Sequence, residues 1–122
     1  MSVQGQIRRI AELEFALIVV QTDILGSKLR VLLTDTSYVD VWISRTLDGR
    51  FGFHWERRHL DGRIYRYDNF PDINWANVST FPFHFHDGTQ DTVTSSPFAT
   101  EPEQGFREFM TFVEQVIGHS EA

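Results

Sequence analysis

The tetrapeptide Leu-Asp-Gly-Arg occurs at 47–50 and again at 60–63, each time between runs of aromatic and β-branched residues. Asp-Gly in that setting is a strong hairpin signal. The turn it closes decides which side chains share a face of the sheet, because a one-residue slip exchanges the faces. A two-residue turn would set Ile43 opposite His54 and mix apolar with polar. A three-residue Leu-Asp-Gly loop, with Gly49 and Gly62 at positive φ, pairs Arg45 with Phe51, Ile43 with Phe53 and Val41 with Trp55. Val39, Val41, Ile43, Phe51, Phe53 and Trp55 then form one apolar face. Asp40, Trp42, Ser44, His54, Glu56, Arg58, Ile64, Arg66 and Asp68 collect on the other.

The remaining elements follow from periodicity. Residues 3–13 read as an amphipathic helix capped by Ser2, with Ile7, Ile10 and Ala11 on one side. Strands are expected at Phe15–Ile24, Leu29–Thr34, Tyr38–Thr46 and 81–86, with a loop over 69–80 and a polar stretch over 87–100. Thr100-Glu101-Pro102-Glu103 reads as a capping box with Thr100 as N-cap. Phe106, Phe109, Met110, Val113, Val116 and Ile117 continue at helical spacing, and Gly118 is expected to end the helix. The fold class is α+β: a single antiparallel β-meander of five or six strands with N- and C-terminal helices packed on one face, as one domain over 1–122.

Composition narrows the classes. The chain of 122 residues has no cysteine, which removes disulfides and cysteine metal cages and suits a cytoplasmic protein. The longest apolar run, Phe15–Val20, is far short of the ~20 residues that span a bilayer, so no membrane is expected. A net charge of −6 disfavours broad nonspecific binding of nucleic acid and favours a basic partner surface. No phosphate loop, dinucleotide fingerprint, zinc-protease helix or nucleophile elbow is present.

The oddest segment is Thr80-Phe81-Pro82-Phe83-His84-Phe85-His86-Asp87-Gly88. Residues two apart on a strand share a face, so His84 and His86 are neighbours. Phe81, Phe83 and Phe85 then point to the core, and the histidines face solvent or a cleft. A metal site would need Asp87 or Asp68 as a further ligand. Two histidines alone are not a ligand set, and no metal is assigned. Acid–base work is the other chemistry, since histidine titrates near neutrality. His54, Glu56, Arg58, Arg66 and Asp68 on the polar face add acid, base and guanidinium groups. Metal-free RNA cleavage uses a base for the 2′-hydroxyl, an acid for the 5′-oxygen and a cation for the phosphorane. The bland counterpart is a solvated face laced with ion pairs. A second function class is a non-catalytic module that binds a nucleotide or partner protein through exposed Trp42, Tyr65 and the arginines.

Arg66-Tyr67-Asp68-Asn69 with Pro71, followed by Thr80-Phe81-Pro82 with His84 and His86, resembles the signature of the TumE-like family of small bacterial and archaeal proteins. That family commonly has His-His-Lys-His in its histidine run, where Phe83 and Phe85 stand here at the first and third places. The resemblance implies the toxin half of a two-gene toxin–antitoxin module, likened to RelE/ParE-type proteins. It also implies a cognate antitoxin, commonly of helix-turn-helix type, as partner. Combined with the face assignment, it gives His84, His86, Arg66 and Asp68 as the candidate catalytic set and Arg58, Glu56, His54, Tyr67 and Trp42 as candidate binding residues. RNA is the expected substrate class, no cofactor is expected, and a homodimer stays open.

Overall fold

The computed structural model describes residues 1–121. The chain runs α1 (Val3–Glu14), β1 (Val19–Leu25), β2 (Lys28–Leu33), β3 (Tyr38–Ile43), β4 (Phe51–Arg57), α2 (Arg58–Asp61), β5 (Arg63–Asp68), a 3-10 turn (Ile73–Trp75), β6 (His84–Gly88), β7 (Val93–Ser95) and α3 (Pro102–Glu121). The strands form one seven-stranded sheet in sequence order, every neighbouring pair antiparallel. The expected five or six strands are thus corrected to seven. The addition is β7, hidden in the polar stretch because an edge strand of three residues that is largely exposed has no apolar alternation to reveal it.

Both hairpin glycines take positive φ, 80° at Gly49 and 77° at Gly62. The loops they close are longer than expected. Arg57 pairs with Arg63, leaving 58–62 as the connection. Ser44 N–H donates to the Arg50 carbonyl at 2.9 Å, leaving 45–49. Both connections read Arg-x-Leu-Asp-Gly, and each moves the register by two residues. Ile43 therefore pairs with Phe51 and Val41 with Phe53. A shift of two preserves the faces, since side chains alternate with period 2.

The apolar face is covered by α1 and α3. Ile7, Ile10 and Ala11 of α1 meet Phe106, Phe109, Met110, Val113 and Ile117 of α3 and Val39, Val41, Phe51, Phe53 and Trp55 of the sheet in one buried cluster. Burying each such side chain stabilises by about 1.5–3 kcal/mol. Ser2 caps α1, its Oγ accepting from Gly5 N–H at 3.0 Å. At α3 the cap is Glu101 instead of Thr100. Its carboxylate accepts from the N–H groups of Glu103 and Gln104, and its carbonyl takes the first helical bond from Gly105. Pro102 at the first helical position, where a missing N–H costs nothing, sets that frame. Gly118 lies inside α3 and does not end it.

Arg57 alternates onto the apolar face, yet its side chain is buried. Its guanidinium bonds Asp35 at 3.0 Å and Asp61 at 2.8 Å and lies 4.5 Å from the Trp55 ring centre. Trp55 Nε1–H donates to Ser37 Oγ, and Ser37 in turn donates to Asp35.

Candidate functional site

Neither α1 nor α3 packs on the opposite face of the sheet. The hairpin register places Asp40, His54, Arg66 and His86 in one row across β3 to β6, and Trp42, Gly52, Asp68 and His84 in the next. The 69–80 segment folds back over one end of these rows, and its Trp75 meets His86 edge-on at 6.0 Å between ring centres. The result is a pocket of about 220 Å³ lined by Arg66, Asp68, Phe70, Asp72, Trp75, His84, His86 and Gln90.

All four candidate catalytic side chains therefore meet. Asp68 Oδ2 accepts from Arg66 Nε at 2.6 Å, and Asp68 Oδ1 lies 3.2 Å from His84 Nε2. The two histidine rings stand 5.0 Å apart between centres. Each is tethered by Nδ1–H to a backbone carbonyl, His84 to Pro82 at 3.0 Å and His86 to Gln90 at 2.7 Å. These tethers place the proton on Nδ1 in the neutral ring and leave Nε2 without a backbone partner. His84 thus faces an acceptor with each nitrogen, so its contact with Asp68 is a hydrogen bond when the ring is doubly protonated. Burial pushes His86 below the ordinary histidine range, partly offset by the Gln90 carbonyl and reinforced by neighbouring His84 and Arg66. That keeps His86 neutral near pH 7, with a lone pair at Nε2.

The histidines were expected to face solvent or a cleft. They line a pocket but are only 3% and 2% exposed, because the 69–80 segment and the loop to β7 close over them. Phe85 and Phe83 pack on the core as expected, whereas Phe81 precedes the strand and is exposed.

The candidate binding residues divide. His54 is the cross-strand partner of Arg66. Burial lowers its pKa against the opposing pull of Glu56, and its Nδ1 is buried without a partner among the described residues. Trp42 is half-buried against Phe70, 5.0 Å between ring centres, instead of standing exposed. Glu56 and Arg58 do not line this pocket. They form an ion pair beside the β4–β5 loop, where the Arg58 hydrogen bonds hold the Glu56 carboxyl down to about 2. Tyr67 is on the wrong face: it packs against Phe51, Phe53 and Phe98 in the core, and its hydroxyl donates to the Ala99 carbonyl at 2.7 Å. Tyr65 is also buried, stacked on Trp55.

Other signature residues are structural. Asn69 does not bond the backbone that follows it. Its Oδ1 accepts from Phe51 N–H at 2.9 Å and its Nδ2 donates to the Gly49 carbonyl at 2.6 Å, tying β5 to the preceding hairpin. The following backbone is held by Asp68, whose Oδ1 accepts from Phe70 N–H at 3.0 Å. Thr80 donates to the Phe83 carbonyl and accepts from Ser96 N–H, joining the entry of β6 to the exit of β7. A sequence model of the family described as Toxin TumE matches residues 7–117. The chain belongs to the TumE toxin family. Comparison with curated proteins and with solved structures finds no match. Membership in the TumE family carries a toxin-like role and, in general, an antitoxin as partner. No helix among the described residues is long and apolar enough to cross a membrane.

Trp75, Phe70, Asp72 and Gln90 line the pocket and were missed in the sequence. The signal for Trp75 was a tryptophan in the loop directly after the signature, where Pro71, Asp72, Asn74 and Asn77 rule out a regular strand or helix that would bury it. For the metal question, one atom each from Asp68, His84 and His86 lies within 4.8 Å of the others. The carboxylate that would anchor an ion there is already neutralised by Arg66 at 2.6 Å.

Proposed function

We propose that this TumE-family protein acts in the cytoplasm as a toxin that cleaves RNA at the histidine pocket, and that a cognate antitoxin, of helix-turn-helix type, neutralises it. The observation that carries the reading is that two adjacent histidines beside one arginine share the same Nδ1 tether but differ at Nε2, which in His84 faces the Asp68 carboxylate. His86 is neutral and presents Nε2 as a base. His84 has an acceptor beside each nitrogen, so its Nε2 lies where a general acid would carry the proton it donates. His86 takes the proton of the 2′-hydroxyl as its oxygen attacks phosphorus. The bond from phosphorus to the 5′-oxygen breaks, and His84 gives its Nε2 proton to that leaving oxygen. The products are a 2′,3′-cyclic phosphate and a free 5′-hydroxyl. Arg66 offsets the charge that builds on the phosphorane, and Asp68 orients both Arg66 and His84. Protons exchanged with solvent reset the pair.

The test is cleavage of a labelled RNA in the presence of a chelator. Wild type should cut with a bell-shaped pH profile. His84→Ala and His86→Ala should each lose ~10²-fold or more. Arg66→Lys should also lose activity, because an ammonium cannot make the bidentate phosphate contact. Full activity in the His84→Ala, His86→Ala double variant would sink the assignment. Abolition by chelator alone would transfer the site to a metal held by Asp68, His84 and His86. The reading as a non-catalytic binding module loses Tyr65, which is buried, and keeps Trp42 only as a half-buried ring against Phe70.

A further inference from the structure

The same face holds a second pocket beside the first, of about 290 Å³, lined by Lys28, Asp40, Trp42, Gly52, His54 and Arg66. No step of the cleavage reading uses it. It owes its space to glycine. Lys28, Trp42, Gly52, Asp68 and His84 form one cross-strand row on this face, and Gly52 is the member without a side chain. Its backbone does not have the positive φ that calls for glycine. Instead, a Cβ there would stand 3.0 Å from Asp68 Cβ and 3.7 Å from Arg66 Nη2. Glycine at 52 therefore leaves Asp68 and Arg66 undisturbed and opens the pocket.

The lining has the parts that a nucleobase needs. Trp42 supplies a flat apolar wall, steadied by Phe70, which itself lines the histidine pocket. Lys28 Nζ, held 3.0 Å from Asp40, puts a donor with further N–H groups in the lining, while the Asp40 carboxylate is taken up by Arg30 and Lys28. The volume falls at the ~300 Å³ lower bound of small-molecule pockets, which suits one ring system better than a whole nucleotide. Arg66 lines both pockets and stands between them. We infer that the second pocket is a nucleobase subsite, and that the substrate is a single-stranded RNA laid across β3 to β6 with one base against Trp42 and the adjoining phosphate on Arg66. Three strand spacings separate His84 from Trp42, ~14 Å at ~4.8 Å each, so the ligand class is an oligonucleotide and not a mononucleotide. The inference rests on the reading of the histidine pocket as the cleavage site.

The probe is a single-stranded RNA oligonucleotide with 2′-O-methyl groups, which lacks the attacking hydroxyl, titrated by calorimetry against the intact protein. Inorganic phosphate is the comparison ligand. Trp42→Ala should weaken oligonucleotide binding ~10-fold, the scale of one lost base stack, while phosphate affinity stays the same. Gly52→Val should weaken it too by filling the pocket. Because that side chain presses on Asp68, a thermal melt establishes that the variant folds, and Lys28→Ala at the rim gives an independent variant. Equal oligonucleotide affinity in wild type, Trp42→Ala and Lys28→Ala would overturn the subsite while leaving the cleavage reading intact. Trp42-dependent binding in a protein that does not cut unmodified RNA would support the subsite and overturn the cleavage reading. Failure of wild type to bind the oligonucleotide would overturn the subsite as well.

Discussion

Trp75 and Arg66 both act on the titration of His86. Burial is the largest cause of its lowered pKa, and Trp75 is the ring packed against it. Trp75→Ala should therefore move the His86 midpoint up toward the ordinary histidine value, and Arg66→Gln should move it the same way by removing a nearby cation. An NMR titration of the ring proton reads both. A midpoint unchanged in Trp75→Ala would assign the burial to the Gln90 loop instead. In the cleavage assay the acid limb of the pH profile should follow the same shift. Two glycines give a second prediction. Gly49 and Gly62 have φ of 80° and 77° and nothing within 4 Å of an added Cβ. Alanine at either should cost ~1–2 kcal/mol through backbone strain alone, measured as a lowered urea midpoint. Gly52→Ala should act through the 3.0 Å contact with Asp68 and so fall on the site.

At the scale of elements, β4 is fixed at its end by a buried ion cluster. Arg57 joins the loop after β2, through Asp35, to the loop before β5, through Asp61. Asp35→Ala leaves a buried guanidinium with half its partners, and breaking such a pair costs ~3 kcal/mol or more. Arg57→Leu replaces the charge with apolar volume and should cost less, even though it removes both bonds. Chemical denaturation of the two variants checks the order. The reverse order would mean that the arginine stem and its stacking on Trp55 carry the stability. Asn69 makes a related link. With its side chain gone, Phe51 N–H and the Gly49 carbonyl lose their partners, and Asn69→Ala should cost ~1–3 kcal/mol. Because β5 carries Arg66 and Asp68, that variant should also loosen the pocket.

For the whole molecule, acid should act in two stages. His54 and His86 have pKa values lowered in the fold, chiefly by burial, so the unfolded chain binds more protons. Their contribution is fully present above the unfolded value of ~6.5 and is lost as pH falls through the folded values. Glu56, held at about 2 against 4.5, contributes above 4.5 and loses its contribution as pH falls toward 2. Glu14, held low by Arg107, and Asp40 follow the same sign. Burial raises Asp40, but its hydrogen bonds from Arg30 and Lys28 outweigh that. Melting temperature should thus decline first just below neutrality and again below pH 4.5. His54→Gln with His86→Gln should flatten the first decline only.

The sequence by itself determined the sorting of faces. Strict alternation separates Val39, Val41, Phe51 and Phe53 from Asp40, His54 and Arg66, and a loop-length error of two residues leaves that sorting intact because the period is also two. It likewise determined the two long helices α1 and α3, the positive φ of Gly49 and Gly62, and the adjacency of His84 and His86, all of which follow from local pattern, but not the short α2 in the β4–β5 connection. Tertiary structure alone decided the rest, because depth and partners depend on segments far apart in the chain. It buried the histidines under the 69–80 segment and gave them different hydrogen-bond partners. It gave inward-pointing Tyr67 the Ala99 carbonyl as partner, tied Asn69 to the Gly49 hairpin, and placed Arg57 in a charged cluster on the apolar face. A pairing pattern says which way a side chain points, but only the packed chain says what covers it.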